Sequence, residues 1–293
     1  MGIDLEAMQE IIEVNKLEYG LFEPKESVKS FKDISCGEEK AKKKALIYKF
    51  DTDIEIVPIF DSHLGLKACD KQKLIETVEY ILSAPNRYTI LGGDILECAT
   101  RTSVGLAMYE EDLSPKDQLF HMYELLKPLA DAGKILDVLT GNHEMRLANF
   151  ADMNPAEILA RQLKVPYSGY QGYIVLKLKE QTYKIAYFHG KSNGTTPAGV
   201  MSAMRKQANV AEADIYLSGH IHVKAKDSDT RYVINEETGE VSIKPRKYVI
   251  CGSFVDYWGS YAEMQALPPA ETGSVSIVFS AEKWSIDPYV PES

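Results

Sequence analysis

Short apolar runs of strand length recur along the chain from about residue 54 onward, and amphipathic helical patterns lie between several of them. Apolar residues at every third or fourth position predict helices, whereas short uninterrupted apolar runs predict buried strands. The runs predict strands over residues 54–60, 88–91, 134–139, 173–178, 183–188, 214–217, 247–253 and 274–279. The helical patterns cover residues 71–84, 117–133, 155–163 and 198–210.

Strands and helices that alternate at this spacing are typical of α/β layers, and the later part of the chain is richer in strands. Residues 177–184 predict a tight hairpin, and residues 224–247 predict a polar hairpin that turns at the sequence EETGE. No linker rich in proline, glycine or serine divides the chain. We therefore expect an N-terminal extension over residues 1–50, with an amphipathic helix over 4–16, and one folded domain over residues 51–293.

The composition of the 293 residues, 45% hydrophobic and 10% aromatic, supports a packed core. The net charge of -10 argues against a surface that binds nucleic acid by charge alone, because such surfaces are usually basic. No CxxC pair occurs, which predicts reduced thiols in a cytoplasmic protein. The chain shows neither a secretory signal pattern nor an apolar run long enough for a membrane span, so we expect no membrane contact. The cysteines are Cys36, Cys69, Cys98 and Cys251.

Polar donor residues follow five of the predicted strands at the point where each strand ends. In α/β sheets, ligands collect at the carboxyl ends of the strands. Five of the six histidines belong to these strand ends, and only His121 lies inside a helical pattern. The donors are oxygens and imidazoles without a thiolate, a set that suits Mn²⁺, Zn²⁺ or Fe²⁺ better than a cysteine-rich structural zinc site does. The candidate metal ligands are Asp61, His63, Asp94, Asn142, His189, His220 and His222.

Seven donors exceed the four of a tetrahedral zinc site and fit two ions that share one carboxylate. Two ions about 3.5–4 Å apart form a clamp for displacement at phosphorus and lower the pKa of a bound water. Each motif alone also has a structural explanation, since a DxH pair can end a strand and a GGD can form a turn. All five motifs in order, each after an apolar run, favour a metal site.

These motifs together resemble the pattern of the calcineurin-like metallophosphoesterase superfamily, which runs DxH, GDxx(D/R), GNH(D/E), H and GHxH. The resemblance covers about residues 54–254. Within the superfamily, the chain is similar to the DNA-repair-exonuclease-like and the phage or bacterial phosphoesterase branches. One position departs from the pattern, because Glu97 stands where Asp or Arg is typical. Glu97 could either support a metal ligand from behind or face the substrate. The matching segments are DSH at 61–63, GDILE at 93–97, GNHE at 141–144, His189 and GHIH at 219–222.

The resemblance implies a four-layer αββα sandwich of two mixed β-sheets flanked by helices, with residues 51–293 as the metallophosphoesterase catalytic domain. It implies that His143 does not bind metal but protonates the leaving oxygen. The neighbouring Glu144 either orients that imidazole or a metal-bound water, or is a charge at a helix start. One ion would be held by Asp61, His63, Asp94 and His222, and the second by Asp94, Asn142, His189 and His220.

The implied activity is a dinuclear metal-dependent phosphohydrolase that uses a hydroxide shared by two ions, with Mn²⁺ expected and Zn²⁺, Fe²⁺, Ni²⁺ or Mg²⁺ as alternatives. A phosphodiesterase or nuclease acting on DNA, RNA or a nucleotide is the first choice. A phosphomonoesterase acting on nucleotides or phosphoproteins is the second, and a non-catalytic interaction protein the third. The aromatic residues Tyr257, Trp258 and Tyr261 are candidates for base stacking or for packing. Arg101 and Arg146 follow ligand motifs and are candidates for contact with a phosphate, but a surface position is the more common one for arginine and is expected here. The sequence leaves the oligomeric state open.

Overall fold

The computed structural model describes residues 43–100, 103, 110–190, 197–264, 266 and 269–290. The helix predicted over residues 4–16 lies outside the described residues, as do Cys36 and Arg101. All elements named below fall in the compact unit Ala45–Ser293. Within the described ranges, no helix combines the length and the apolar character that a membrane span requires.

The described strands and helices follow the order that the apolar pattern predicts. The strands are β1 (Leu46–Phe50), β2 (Ile54–Ile56), β3 (Arg87–Leu91), β4 (Ile135–Leu139), β5 (Tyr167–Gly169), β6 (Gln171–Leu178), β7 (Gln181–Phe188), β8 (Ile215–Ser218), β9 (Lys224–Ile234), β10 (Val241–Cys251), β11 (Ser276–Phe279) and β12 (Ile286–Tyr289). The helices are α1 (Lys71–Leu82), α2 (Pro115–Asp131), α3 (Asn142–Ala151), α4 (Pro155–Leu163), α5 (Pro197–Gln207) and α6 (Tyr261–Met264).

These strands form two six-stranded mixed sheets. The first sheet has the order β1-β6-β7-β8-β10-β9, in which β7, β8 and β10 run parallel and β9 is an antiparallel edge strand. The second has the order β12-β11-β2-β3-β4-β5, in which β2 to β5 run parallel. Parallel strands place their carboxyl ends at one edge of a sheet. The candidate ligands follow these strand ends and therefore lie at that edge.

Three apolar clusters hold the layers together. Between the two sheets, residues such as Ile56 of β2 and Ile185 of β7 are fully buried. On the outer face of the second sheet, α1, α2 and α4 pack through residues such as Leu126. On the outer face of the first sheet, Met204 of α5 packs against Tyr216 and Tyr248. The predicted four-layer αββα sandwich is confirmed.

The eight predicted strands and four predicted helices are present with altered ends, and both predicted hairpins form. The first predicted strand, over residues 54–60, is regular only over Ile54–Ile56, as β2. The chain then continues beside β3 but is joined to it only by isolated backbone hydrogen bonds, such as Ile59 N–H to Ile90 O at 2.9 Å. Helix α3 was not predicted, because its buried residue is the charged Glu144 and no apolar stripe marks it. Residues 46–50, assigned to the extension, form β1 and pair with β6.

Candidate metal centre

The strand ends of the two sheets meet at one edge of the sandwich. The backbone N–H of Gly219, after β8, donates to the carbonyl of His189, after β7, at 2.8 Å. His189 Nδ1 in turn lies 3.1 Å from the carbonyl oxygen of Gly92, after β3 in the other sheet. The backbone N–H of His220 donates to Asp61 Oδ2 at 2.8 Å. Loops from both sheets are therefore joined by hydrogen bonds at the site.

All seven predicted ligands lie together there, in two neighbouring groups. Asp61, His63 and His222 offer ligand atoms within 4.8 Å of one another, and so do Asp94, His189 and His220. The side-chain oxygen of Asn142 joins the second group, 3.1 Å from His189 Nε2.

Asp94 lies between the two groups. Its Oδ2 is 3.0 Å from His189 Nε2 in the second group and 3.9 Å from His63 Nε2 in the first. Its other oxygen, Oδ1, accepts a hydrogen bond from the backbone N–H of His143 at 2.7 Å. One oxygen therefore fixes the carboxylate while the other faces both groups, which is the position a shared ligand requires.

Asp61 has the same arrangement, with one oxygen bound and one oriented into the site. Oδ2 accepts the backbone N–H of His220, whereas the buried Oδ1 makes no hydrogen bond among the described residues. The nearest imidazole nitrogen, His222 Nε2, is 3.4 Å from Oδ1. A buried carboxylate oxygen without a partner is costly, and a bound cation would satisfy it. The donor set and this orphaned oxygen fit a divalent metal site.

Five of the seven candidate ligands have backbone conformations that are unusual for residues with a side chain. Asp61, His63, Asp94, His220 and His222 all lie in the left-handed region, with φ between 45° and 72°. Such conformations cost energy and persist where the surrounding structure enforces them, commonly at functional sites. Their concentration at the ligand positions supports a functional origin.

Two glycines allow the loops to approach the carboxylates closely. A Cβ atom at Gly219 would overlap the carboxylate of Asp61, and one at Gly141 would overlap the carboxylate and backbone of Asp94. Glycine is therefore required at both positions by space, since any side chain would displace a candidate ligand.

Hydrogen bonds to Nδ1 orient two of the imidazoles. His63 Nδ1 donates to Glu97 Oε2 at 2.8 Å, and His189 Nδ1 donates to the Gly92 carbonyl. With Nδ1 protonated, Nε2 of each ring is the nitrogen available to a metal. This arrangement is usual for histidine ligands, whose other ring nitrogen binds a carboxylate or carbonyl.

Glu97 connects a candidate ligand to the candidate acid. Beyond its bond to His63, its Oε2 lies 3.1 Å from His143 Nδ1. Arg146 completes the cluster, with NH1 3.2 Å from Glu97 Oε1 and NH2 2.8 Å from His143 Nε2. From the sequence, Arg146 is expected at the surface. Its position in the first turns of helix α3, which the apolar pattern does not predict, brings it to this cluster instead.

The electrostatics of the cluster keep its carboxylates ionised. Burial would raise the pKa of Asp94, but His189 and His143 outweigh it and hold that pKa well below its usual range. Burial likewise opposes ionisation of Glu97, yet the hydrogen bonds from His143 and His63 lower its pKa. For Asp61, burial is outweighed by His189 and His222, so its pKa is also lowered.

The pKa values of the imidazoles shift in opposite directions. Burial lowers the pKa of His189, but Asp94 and Asp61 together raise it to about 10. Burial lowers the pKa of His63 and of His220, and neighbouring imidazoles lower both further. The cluster thus places ionised carboxylates beside the neutral imidazoles of His63 and His220, and a cation bound there would displace the proton from His189.

No family model and no curated protein matches the sequence. Solved structures do align with it at low identity. A conserved uncharacterized protein of Streptococcus pneumoniae, described as a predicted phosphoesterase, shares 16% identity at a TM-score of 0.36, over 80% of this chain and 88% of that one. Vps29 from Entamoeba histolytica, in complex with Zn²⁺, shares 13% identity at a TM-score of 0.39, over 80% and 97%.

A third structure, of a metallophosphoesterase from Sphaerobacter thermophilus, shares 12% identity at a TM-score of 0.34, over 80% of this chain and 87% of that one. The function proposed for this chain rests on the geometry of its own site.

Proposed function

We propose that this chain is a dinuclear metal-dependent phosphohydrolase. The observation that supports the proposal most directly is the pair of donor groups on either side of Asp94. Asp61 Oδ1 adds to it, because a buried anionic oxygen that accepts no hydrogen bond among the described residues favours a bound cation.

Each donor group would hold one divalent ion. Bound there, two such ions would supply Lewis acidity to a phosphate and lower the pKa of an attacking water. Oxygen and imidazole donors favour Mn²⁺, with Zn²⁺, Fe²⁺, Ni²⁺ or Mg²⁺ as alternatives. The first ion would be held by Asp61, His63, Asp94 and His222, and the second by Asp94, Asn142, His189 and His220.

His143 is the proposed general acid toward the leaving oxygen. Its backbone N–H is fixed by Asp94, and its Nδ1 is held by Glu97. Asp94 and Glu97 overcome burial and raise the pKa of His143, which favours the protonated form that an acid needs. Arg146 Nη2 lies 2.8 Å from His143 Nε2, so in this arrangement the guanidinium donates and Nε2 accepts without carrying a proton. A substrate phosphate offers Arg146 a stronger, charged acceptor. Nε2 then takes up a proton from solvent, and the resulting imidazolium donates it to the leaving oxygen.

We infer that the substrate is a phosphodiester with an aromatic group, such as a nucleotide base. Tyr170 is 63% exposed. The next residue, Gln171, pairs with Phe188, which directly precedes His189. The Tyr170 hydroxyl donates to Met145 Sδ at 3.2 Å, and Met145 lies one turn after Asn142 in helix α3. An exposed ring held beside a metal site can stack a base.

Two other functions were considered from the sequence. A phosphomonoesterase would use the same residues, and only its substrate would differ. A non-catalytic interaction protein would be expected to have lost ligands or the acid, yet all seven donors and His143 are present and assembled. The assembled site favours a catalytic function, and the exposed ring of Tyr170 is the observation that favours a diester with an aromatic group over a monoester.

The test is hydrolysis of bis(p-nitrophenyl) phosphate and of p-nitrophenyl phosphate by the Mn²⁺-loaded protein. Turnover of the diester is expected, and turnover of the monoester alone would support the second function. Full metal occupancy with no hydrolysis of either would support the non-catalytic one. His143→Ala should lower kcat by about 10²–10⁴-fold while leaving bound metal unchanged. The matched control is His121→Ala, in α2 and away from the donor groups.

A further inference from the structure

The hairpin of β9 and β10 extends beyond the sandwich and exposes the face that is buried elsewhere in the sheet. Val249 and Cys251 of β10 point into the core between the two sheets. Side chains alternate along a strand, so the odd-numbered residues of β10 and their even-numbered partners on β9 share this inward face. From Ser228 to the turn, however, those β9 residues are exposed while their neighbours on the other face are half-buried. We call residues 228–247 the overhang.

The inward face of the overhang carries two apolar cross-strand pairs. Tyr232 pairs with Ile243, and Ile234 pairs with Val241. Their exposed fractions are 76%, 62%, 65% and 61% in that order. A two-stranded ribbon with an uncovered apolar face is marginally stable in water, and clustered exposed apolar residues mark interaction surfaces.

The opposite face of the overhang is already occupied by polar contacts. Arg246 binds Asp229 through two hydrogen bonds, at 2.7 and 2.8 Å, and the Tyr248 hydroxyl donates to the same carboxylate at 3.1 Å. The base of that opposite face is thus held by polar contacts within the chain, whereas the inward face carries exposed apolar pairs.

Charge is distributed along the overhang so that its two ends are complementary. The turn is acidic, with exposed Glu236, Glu237 and Glu240. The base of the hairpin is basic on the inward face, with Lys247 and the exposed Lys226. Glu236 lies four positions beyond Tyr232, and Ser228, the partner of Lys247, lies four positions before it. The Tyr232–Ile243 pair therefore lies four positions from each of the two oppositely charged ends.

We propose that the inward face of the overhang docks against the same face of a second copy of this chain. In an antiparallel arrangement about a twofold axis at the Tyr232–Ile243 pair, the acidic turn of each copy meets the basic base of the other. A twofold interface requires such self-complementarity, because the same patch serves both subunits. Opposite charges at the rim fix the register, and the apolar pairs supply the buried centre.

The test is sedimentation of the full-length, Mn²⁺-loaded protein over about 1–100 µM, from which a monomer–dimer dissociation constant is obtained. Ile243→Lys places a charge at the centre of the interface and should weaken the dimer about 30-fold or more. The matched control is Phe120→Lys, a residue 56% exposed on α2, which should leave the dissociation constant unchanged. A wild-type protein that sediments only as a monomer would overturn the proposal, and so would a dimer that Ile243→Lys leaves intact.

Charge reversal tests the antiparallel register. The double variant Glu236→Lys, Glu237→Lys should weaken the dimer about tenfold at low salt. The turn of each copy would then be positive and would repel the lysines at the base of the partner's hairpin. Adding Lys226→Glu and Lys247→Glu to that variant should restore the dissociation constant to within about threefold of wild type. Thermal melts of each variant identify any loss of folding. A dimer that the added exchanges weaken further, in folded protein, would rule out this register.

Discussion

Glu144 Oε2 accepts a hydrogen bond from the backbone N–H of Asp94 at 3.0 Å, although fifty residues separate the two in sequence. The same carboxylate accepts the N–H groups of Ile95 and Leu96 through Oε1, at 2.7 and 3.0 Å, and that of Gly141 through Oε2, at 2.9 Å. Four backbone donors therefore meet in one fully buried carboxylate. Glu144 fixes the turn that carries Asp94 relative to the loop that carries Asn142.

We expect Glu144→Gln to destabilise the protein by about 2–3 kcal/mol and to weaken metal binding. The amide keeps the shape but replaces one oxygen by an N–H₂ group, which would face two backbone donors and leave them without an acceptor. Urea unfolding of the metal-free protein measures the first effect, and Mn²⁺ titration the second.

The matched control for this prediction is Glu157→Gln, also in the first turn of a helix. Glu157 pairs with Arg161 at the surface, so its loss should change the unfolding free energy by less than about 0.5 kcal/mol. Equal stabilities for wild type and Glu144→Gln would show that the four hydrogen bonds do not fix the turn.

The positions of the candidate ligands could be read from the sequence because each belongs to a short motif that directly follows an apolar run. Each donor follows an apolar run, and the carboxyl ends of parallel strands converge whatever the rest of the fold. Asp94 and His220 could thus be placed at one site before the sheets were known. The layers were predictable for the same reason, since apolar runs and helical patterns alternate along the chain.

The contacts behind the ligands were not predictable, because they depend on distances across the fold. Glu97 joins two histidines that lie 34 and 46 residues away in sequence. Arg146 reaches the site only because α3 forms, and the residue that precedes this helix, Gly141, provides no side-chain cap by which the helix could have been predicted. The strand β12 contains Pro288, which weakens the strand pattern, and it is tolerated because β12 is an edge strand.

Replacing the shared ligand and an unshared ligand should change metal stoichiometry differently. Asp94→Asn is expected to reduce binding of both ions, since its Oδ2 faces both donor groups. His222→Ala is expected to remove one ion and leave the group of Asp94, His189 and His220 able to bind the other. Elemental analysis after loading and gel filtration gives the stoichiometry. His121→Ala should retain the wild-type metal content, and a wild-type protein that holds a single ion would contradict the shared-ligand geometry.

Metal should stabilise the protein through the orphaned oxygen of Asp61. At an Mn²⁺ concentration about 100-fold above Kd, one site adds about 2.7 kcal/mol, which corresponds to a rise in Tm of roughly 5–10 °C for a domain of this size. Asp61→Asn should make that rise clearly smaller, because a neutral amide replaces the unpartnered anionic oxygen. Differential scanning calorimetry after chelation and after Mn²⁺ addition measures both. An equal rise in Asp61→Asn would place the metal elsewhere.

Tyr170 should decide the preference for aromatic diesters. Tyr170→Ala is expected to raise KM for bis(p-nitrophenyl) phosphate about fivefold or more, because stacking of this kind contributes about 1–3 kcal/mol per ring. The KM for methyl p-nitrophenyl phosphate should change less, since that diester has one ring instead of two. Tyr170→Phe keeps the ring and loses only the hydrogen bond to Met145 Sδ, so it should retain the wild-type KM.

The control for Tyr170 is Phe150→Ala, which removes an equally exposed ring, 67% exposed, from the far end of α3. Its KM values should equal those of wild type. Whether a variant changes KM or kcat identifies the role of Tyr170. Loss of stacking raises KM at constant kcat, whereas a disturbed metal site would lower kcat and metal content together. A uniform fall in kcat for both diesters would therefore assign Tyr170 to support of the adjacent ligand loops and exclude it as the ring that selects substrate.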